Sequence, residues 1–236
     1  MKIVLSGYGK MGKMLEQTAA ARGHDILAAI DMENIEQFAA LPRADVVLDF
    51  SHPGMLPHLA QYIQRTGTAL CSGTTGYGQE ELAILKKLGE NAPVLHSANY
   101  SLGIAVFRKI LEQFAPALRD GFDVELVEKH HNQKVDAPSG TAKLLVSAID
   151  PKKELRIITG REGMCGPRKK DEIGVFALRG GTVAGEHTVY FFGEEETLSI
   201  AHTAASRRVF AVGAVRAAEA LAGRPAGFYD LQSVLF

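Results

Sequence analysis

The chain has 236 residues, 46% of them hydrophobic and 22% charged, with a formal net charge of −1. That length supports a core without disulfide or metal staples, and the balanced charge gives no general attraction to nucleic acid or an anionic membrane. Cys71 and Cys165 are the only cysteines, so there is no disulfide framework and no CxxC pair. With no apolar run of bilayer length and no signal-peptide core, a soluble cytoplasmic protein is expected.

In chain order, residues 3–6, 26–31, 46–50, 69–72 and 94–96 read as short apolar strands. Helical patterns at 11–22, 53–66 and 79–88 separate them, and this alternation predicts βαβ units and a parallel sheet. The segment 32–45 has no regular pattern. Residues 103–118 read as a helix, with Phe107, Ile110, Leu111 and Phe114 at helical spacing. A strand at 122–128 and a helix at 142–149 follow. Strand-like runs at 155–159, 174–179, 186–192 and 197–202 then succeed one another, which argues for an antiparallel or mixed sheet. The span 161–172, with its Arg168-Lys169-Lys170 cluster, reads as a mobile loop or lid. A final helix over 206–222 offers Val209, Val212, Val215 and Ala218 for packing.

Gly7-Tyr8-Gly9-Lys10-Met11-Gly12 fits G-x-G-x-x-G between a strand and a helix. The glycines give a tight turn, close approach of backbone to a pyrophosphate, and close helix–strand contact. The helix start adds N–H groups and a positive dipole end. Asp31 falls about 20 residues past the third glycine, the spacing of a ribose-binding acid. This carboxylate favours NADH, since it repels a 2′-phosphate and Met32 brings no guanidinium to offset it. Lys10 and Lys13 lie near enough in sequence to leave NADPH open.

The fold class that follows is α/β. An N-terminal Rossmann-type parallel-sheet domain is joined to a C-terminal α+β domain with an open mixed sheet. The expected boundaries are 1–100 for the dinucleotide-binding domain, completed by 207–236, and 101–206 for substrate binding and oligomerisation. Two hinge strands are expected to link them, with domain closure bringing cofactor and substrate together.

The second informative stretch is Glu128-Lys129-His130-His131-Asn132-Gln133-Lys134-Val135-Asp136-Ala137-Pro138-Ser139-Gly140-Thr141. Pro138 and Gly140 resist a continuous helix here, and Ser139-Gly140-Thr141 opens the next one. N–H groups at that onset can grip a carboxylate, with Lys134 adding a cation. A neighbouring imidazole supplies acid–base chemistry near neutral pH. The remaining histidines form no i, i+4 pair and lack a cysteine at ligand spacing, which argues against a metal site. The bland alternative is a polar loop before a capped helix.

These motifs resemble the 4-hydroxy-tetrahydrodipicolinate reductase (dihydrodipicolinate reductase) family nearly end to end. The likeness takes in the glycine loop, Asp49-Phe50-Ser51, Gly73-Thr74-Thr75-Gly76, Ala98-Asn99-Tyr100-Ser101 and the run from Glu128 to Ala142. It also includes Arg179-Gly180-Gly181, Gly185-Glu186-His187 and Ser206-Arg207. The resemblance implies reduction of a cyclic imine dicarboxylate with NADH or NADPH, in lysine and diaminopimelate biosynthesis, by a homotetramer. It implies His130 as the acid/base histidine and Lys134 as proton donor. His131, Ser139, Gly140 and Thr141 would then bind substrate. Gly73, Thr74 and Thr75, with Ser97, Ala98, Asn99 and Tyr100, would lie beside the nicotinamide. Asp31-Met32 departs from the acid–arginine pair of members that use both cofactors. Two rival readings are another two-domain nicotinamide oxidoreductase and a non-catalytic dinucleotide sensor.

Overall fold

The computed structural model describes all 236 residues. The chain divides into two compact units, Met1–Ser101 with Arg208–Phe236, and Leu102–Arg207.

The first unit is a six-stranded parallel sheet. Its strands are β1 (Lys2–Ser6), β2 (Asp25–Ile30), β3 (Val46–Asp49), β4 (Ala69–Ser72), β5 (Pro93–His96) and β11 (Gly227–Tyr229). They lie in the order β11-β5-β4-β3-β1-β2, and every neighbouring pair is parallel. β3 and β4 are buried at every position, as strands covered on both faces must be, so they read as continuous apolar runs rather than alternating ones. Helices α2 (Leu56–Thr66) and α3 (Gln79–Leu88) cover one face with Leu59, Ile63, Leu85 and Leu88. Helices α1 (Lys10–Ala21) and α6 (Arg208–Leu221) pack together and against the sheet. Because the chain runs from β1 to β2 on one side and then to β3 on the other, the connection reverses between β1 and β3. Ligands of open α/β sheets bind beyond the carboxyl ends of strands at such a reversal.

The C-terminal segment completes this unit. Glu219 on α6 holds Arg22 through two bonds of 2.8 and 2.7 Å and His24 at 2.7 Å. β11 adds the sixth strand beside β5, and α7 (Leu231–Leu235) follows. The short strand and helix after residue 222 carry too few residues to show a period. Within α6 the buried stripe is Ala211, Ala214, Val215, Ala218 and Leu221. Val212 is exposed, contrary to the sequence reading.

The second unit is a five-stranded mixed sheet. Its strands are β6 (Asp123–His130), β7 (Arg156–Ile158), β8 (Glu172–Arg179), β9 (Gly185–Phe192) and β10 (Thr197–Ala204), in the order β10-β9-β6-β8-β7. β6 pairs antiparallel with β9 and parallel with β8. Helices α4 (Leu102–Leu118) and α5 (Gly140–Ile149) cover one face, packing Phe107, Leu111, Leu145 and Ile149 against Val124, Leu126, Val175 and Val189. Phe114, expected in the core, is exposed.

Other expectations shift. Asp31 stands one residue past the end of β2, and the irregular 32–45 segment holds a single 3-10 turn at Ile35–Ala39. The chain passes between units at 101–102 and 207–208. β5 and β10 have ended by then, so the two passages are loops and not strands. No helix is long and apolar enough to cross a membrane.

Candidate functional site

The glycine loop leaves β1 at the reversal point. Gly7 has φ +90°, a value that side chains disfavour, and a Cβ there would stand 2.5 Å from the Phe50 carbonyl oxygen beyond β3. A Cβ at Gly12 would stand 2.2 Å from the Gly7 carbonyl oxygen. The fold itself therefore demands these two glycines. Gly9 is different: nothing lies within 4 Å of where its Cβ would be, although it caps α1 without any side-chain bond. An open face of backbone at a helix start is what a dinucleotide pyrophosphate needs, so these residues fit that group. Tyr8 turns back on its own helix, its hydroxyl donating to Glu16 at 2.6 Å, which leaves its backbone on the loop.

A buried carboxylate organises the neighbouring loops. Asp49, at the end of β3, is inaccessible to solvent. It accepts hydroxyl bonds from Ser6 (2.9 Å), Ser51 (2.5 Å), Ser72 (2.8 Å) and Tyr77 (3.1 Å). It thus ties together the ends of β1, β3 and β4. Burial and the Asp49 charge raise the Tyr77 hydroxyl pKa well above its ordinary value. Thr74 accepts the Ser51 N–H at 2.8 Å and is buried, while Thr75 is exposed. Gly73 is required by the Phe50 ring, 2.2 Å from its would-be Cβ.

The 97–100 loop follows β5. Ser97 donates to the Asn99 carbonyl oxygen at 2.8 Å, and Asn99 accepts the Ser101 N–H on its side chain at 2.8 Å. For Tyr100, expected beside the nicotinamide with core packing as the alternative, the side chain is packed in the core. Its side chain is buried and its hydroxyl donates to the Ser72 carbonyl oxygen at 2.8 Å. The ring packs against Phe50 with centroids 5.3 Å apart, so only its backbone stays on the loop. Asp31 accepts the Glu33 N–H at 2.9 Å, and Met32 beside it is exposed.

In the second unit the helix-covered face of β6 runs Val124, Leu126, Glu128, His130, passing from core to chemistry at two-residue steps. Glu128 is fully buried and every lone pair is used. Its Oε2 lies 2.5 Å from His130 Nδ1 and accepts from Arg179 at 2.8 Å. Its Oε1 accepts from Arg179 at 2.8 Å and from the Ser139 N–H at 3.0 Å. Burial alone would raise its pKa, but the Arg179, His130 and Ser139 bonds outweigh burial and lower it. Glu128 is therefore a carboxylate at neutral pH, so His130 Nδ1 donates to it and Nε2 is the ring atom left for chemistry.

Ser139 caps α5, its Oγ accepting the Ala142 N–H at 3.1 Å. Gly140 opens the helix with nothing within 4 Å of a would-be Cβ, so there is room at the onset for a carboxylate. Lys134 Nζ pairs with Asp136 at 2.6 Å, and that bond lowers the Asp136 pKa. His131 Nε2 lies 3.4 Å from an Arg207 guanidinium nitrogen, so the adjacent histidines serve different neighbours, as an extended chain requires.

The sequence did not single out Asp49, Glu128, Arg179 or His187 as site residues. The signal for Glu128 was its place two residues before His130 on an alternating strand. Nothing local pairs it with Arg179. In the 161–172 span, expected as a mobile loop or lid, two arginines reach the sheet of their own unit. Arg161 binds Glu125 through two 3.0 Å bonds, and Arg168 binds Glu125 and Asp123 at 2.8 Å each. Its last residue, Glu172, already belongs to β8.

A glycine loop at the reversal of a parallel sheet, followed by a mixed-sheet unit bearing a carboxylate-held histidine, defines a nicotinamide dinucleotide-dependent oxidoreductase. Residues 1–100 match the family model described as dihydrodipicolinate reductase, N-terminus, and residues 103–235 the one described as its C-terminus. A 4-hydroxy-tetrahydrodipicolinate reductase of an Exiguobacterium strain is 41% identical over 99% of this chain and 95% of its own. That of Clostridium novyi is 43% identical over 99% and 98%. The dipicolinate-bound dihydrodipicolinate reductase of Paenisporosarcina sp. TG-14 superposes with a TM-score of 0.80 at 21% identity, covering 100% of this chain and 99% of that one. The chain belongs to the dihydrodipicolinate reductase family.

Proposed function

We propose that this chain reduces a cyclic imine dicarboxylate, entering as 4-hydroxy-tetrahydrodipicolinate, which loses its hydroxyl as water before reduction, or as the already dehydrated dihydrodipicolinate, to tetrahydrodipicolinate with NADH or NADPH, in lysine and diaminopimelate biosynthesis. The observation that carries this reading is the single carboxylate, Glu128, that holds both His130 and the Ser139 N–H. It joins an acid–base imidazole to a helix start fit for a substrate carboxylate.

When bound, the nicotinamide would supply a hydride to the ring carbon that, in the dehydrated ring, is conjugated with the imine. The electron density displaced toward the ring nitrogen then needs a proton. We assign that proton to His130 or Lys134, with general-acid help worth about 10²–10⁴-fold. Lys134 pairs with Asp136, which is largely exposed. Such pairs are worth under about 1 kcal/mol, so a dicarboxylate exchanges with Asp136 at little cost. Gly140 and Thr141 at the α5 onset take one substrate carboxylate, and His131 the other, beside Arg207. Gly7 to Gly12 would hold the pyrophosphate, and the loops at 73–75 and 97–100 would hold the nicotinamide, Tyr100 through its backbone.

Asp31 supports NADH over NADPH, since no cation is paired with it to accept a 2′-phosphate. Cytoplasmic location and a homotetramer complete the proposal. In support of the latter, the sheet face opposite α4 and α5 exposes Leu178 and Phe192. Light scattering would read the mass directly.

The central test follows nicotinamide absorbance with enzymatically generated substrate. Turnover is expected with NADH, and Lys134→Ala should lower kcat far more than it weakens cofactor binding. No consumption of either cofactor would overturn the assignment, and equal losses in both quantities would overturn the role given to Lys134.

A further inference from the structure

The second unit contains a buried imidazole that the proposed reaction does not use. His187 lies on β9 directly across from Glu128 on β6 and from His202 on β10, and it is 3% exposed. Its Nε2 stands 3.1 Å from Ser139 Oγ. Its ring meets that of His130 edge-on, with centroids 5.2 Å apart and planes at 75°. Its Nδ1 is buried without a hydrogen-bond partner.

These contacts close a circuit. His130 Nδ1 reaches Glu128 Oε2, Glu128 Oε1 holds the Ser139 N–H, Ser139 Oγ reaches His187 Nε2, and the His187 ring returns to His130. Because Ser139 Oγ already accepts the Ala142 N–H, its own hydrogen is available to His187 Nε2. Burial first, and then the neighbouring His130, push the His187 pKa down to about 4, so the ring is neutral and can accept that bond. An orphaned ring nitrogen in a closed interior is costly to a fold. An apolar ring of the same size would avoid that cost, so stability alone does not account for an imidazole here.

We infer that His187 is a positioning residue for the substrate. Through Ser139 it sets the α5 onset that receives the carboxylate, and through its ring edge it fixes the plane of His130. This rests on the reaction proposed above. Buried behind Ser139 and His130, His187 acts through them.

The experiment is steady-state kinetics of wild type, His187→Phe, His187→Gln, Ser139→Ala and the His187→Phe/Ser139→Ala double variant, with folding checked by circular dichroism. Phe keeps the ring volume without nitrogen, and the Gln amide reaches the place of Nε2. His187→Phe should raise KM for the dicarboxylate roughly 10- to 100-fold, leaving KM for NADH within about twofold. Gln should recover most of the loss. The double variant should be no worse than Ser139→Ala in KM. Wild-type KM in a folded His187→Phe variant, additive losses, or failure of Gln to recover would each overturn the inference while leaving the proposed reaction standing. If His187→Phe does not fold, His187→Leu takes its place: a raised dicarboxylate KM that the Gln variant does not share supports the inference, and a wild-type KM overturns it. A wild type that consumes no NADH overturns the reaction and this inference together.

Discussion

Glu128 Oε2 and His130 Nδ1 lie 2.5 Å apart, two residues along one face of β6. The pairing follows from the two-residue period of a strand, and Arg179 on the neighbouring β8 balances the buried charge. Glu128→Gln keeps the shape and removes the charge. It takes the paired charge from the Arg179 guanidinium, which keeps Asp136 and two carbonyl oxygens, at about 1–3 kcal/mol, and frees the His130 tautomer. The expected result is a kcat loss of roughly 10- to 100-fold, with NADH affinity unchanged because the dinucleotide residues belong to the other unit. Calorimetry and kinetics on one preparation would check both; an unaltered kcat would remove Glu128 from the site.

Stability should depend on pH through His187. Its folded pKa is depressed to about 4, below the ordinary 6.5 of the unfolded chain. Between these values the unfolded state binds the extra proton. The contribution is therefore fully present above about pH 6.5 and is lost as pH falls toward 4, to the extent of about 3 kcal/mol. Burial lowers the pKa values of His96 and His202 as well, so the wild-type slope is a sum. Denaturant titrations from pH 7.5 to 4.5 should show a shallower decline in His187→Phe than in wild type. Parallel curves would contradict the depressed value.

The glycines of the first loop should separate fold from ligand. Gly12→Ala forces a Cβ to 2.2 Å from the Gly7 carbonyl oxygen, and the backbone shift should cost about 1–3 kcal/mol. Gly9→Ala meets no protein atom within 4 Å, so stability should hold within about 0.5 kcal/mol. NADH affinity should nevertheless fall by roughly tenfold or more, since the pyrophosphate approaches that backbone. Thermal melts and NADH fluorescence titrations read the two effects, and full-affinity Gly9→Ala would refute the assigned approach.

Asp49→Asn should loosen the carboxyl edge of the parallel sheet. Four hydroxyls donate to this carboxylate, and an amide presents a donor where an acceptor is needed. Bonds to a charged group are worth about 1.5–3 kcal/mol each, though the hydroxyls can turn and recover part of this. A loss of about 2–3 kcal/mol in chemical unfolding is expected, with weaker NADH binding because the Ser6–Gly7 and Ser72–Gly73 turns lose their common anchor. An unchanged midpoint would show that the hydroxyls are equally content with an amide.

Most of what was local was legible in the sequence. β4 and α3 fall where their apolar runs and flanking polar residues place them, and the glycine loop declared its turn through residues 7–12 alone. The run from Glu128 to Ala142 announced a strand end, a loop and a capped helix. These follow from side-chain period, glycine and proline stereochemistry and capping, all set within a few residues. Tertiary structure decided the rest. β11 is three residues long and exists only because β5 offers an unpaired edge. Tyr100 became core because Ser72 and Phe50, far off in sequence, close around it. Arg161 and Arg168, free-looking cations in a polar span, found Glu125 because Gly174 across the sheet leaves space for its carboxylate. The Glu128–Arg179 and His187–Ser139 pairs join residues 51 and 48 positions apart. Strand register sets such contacts, and register is a property of the assembled sheet, where one face must be buried, rather than of any single segment.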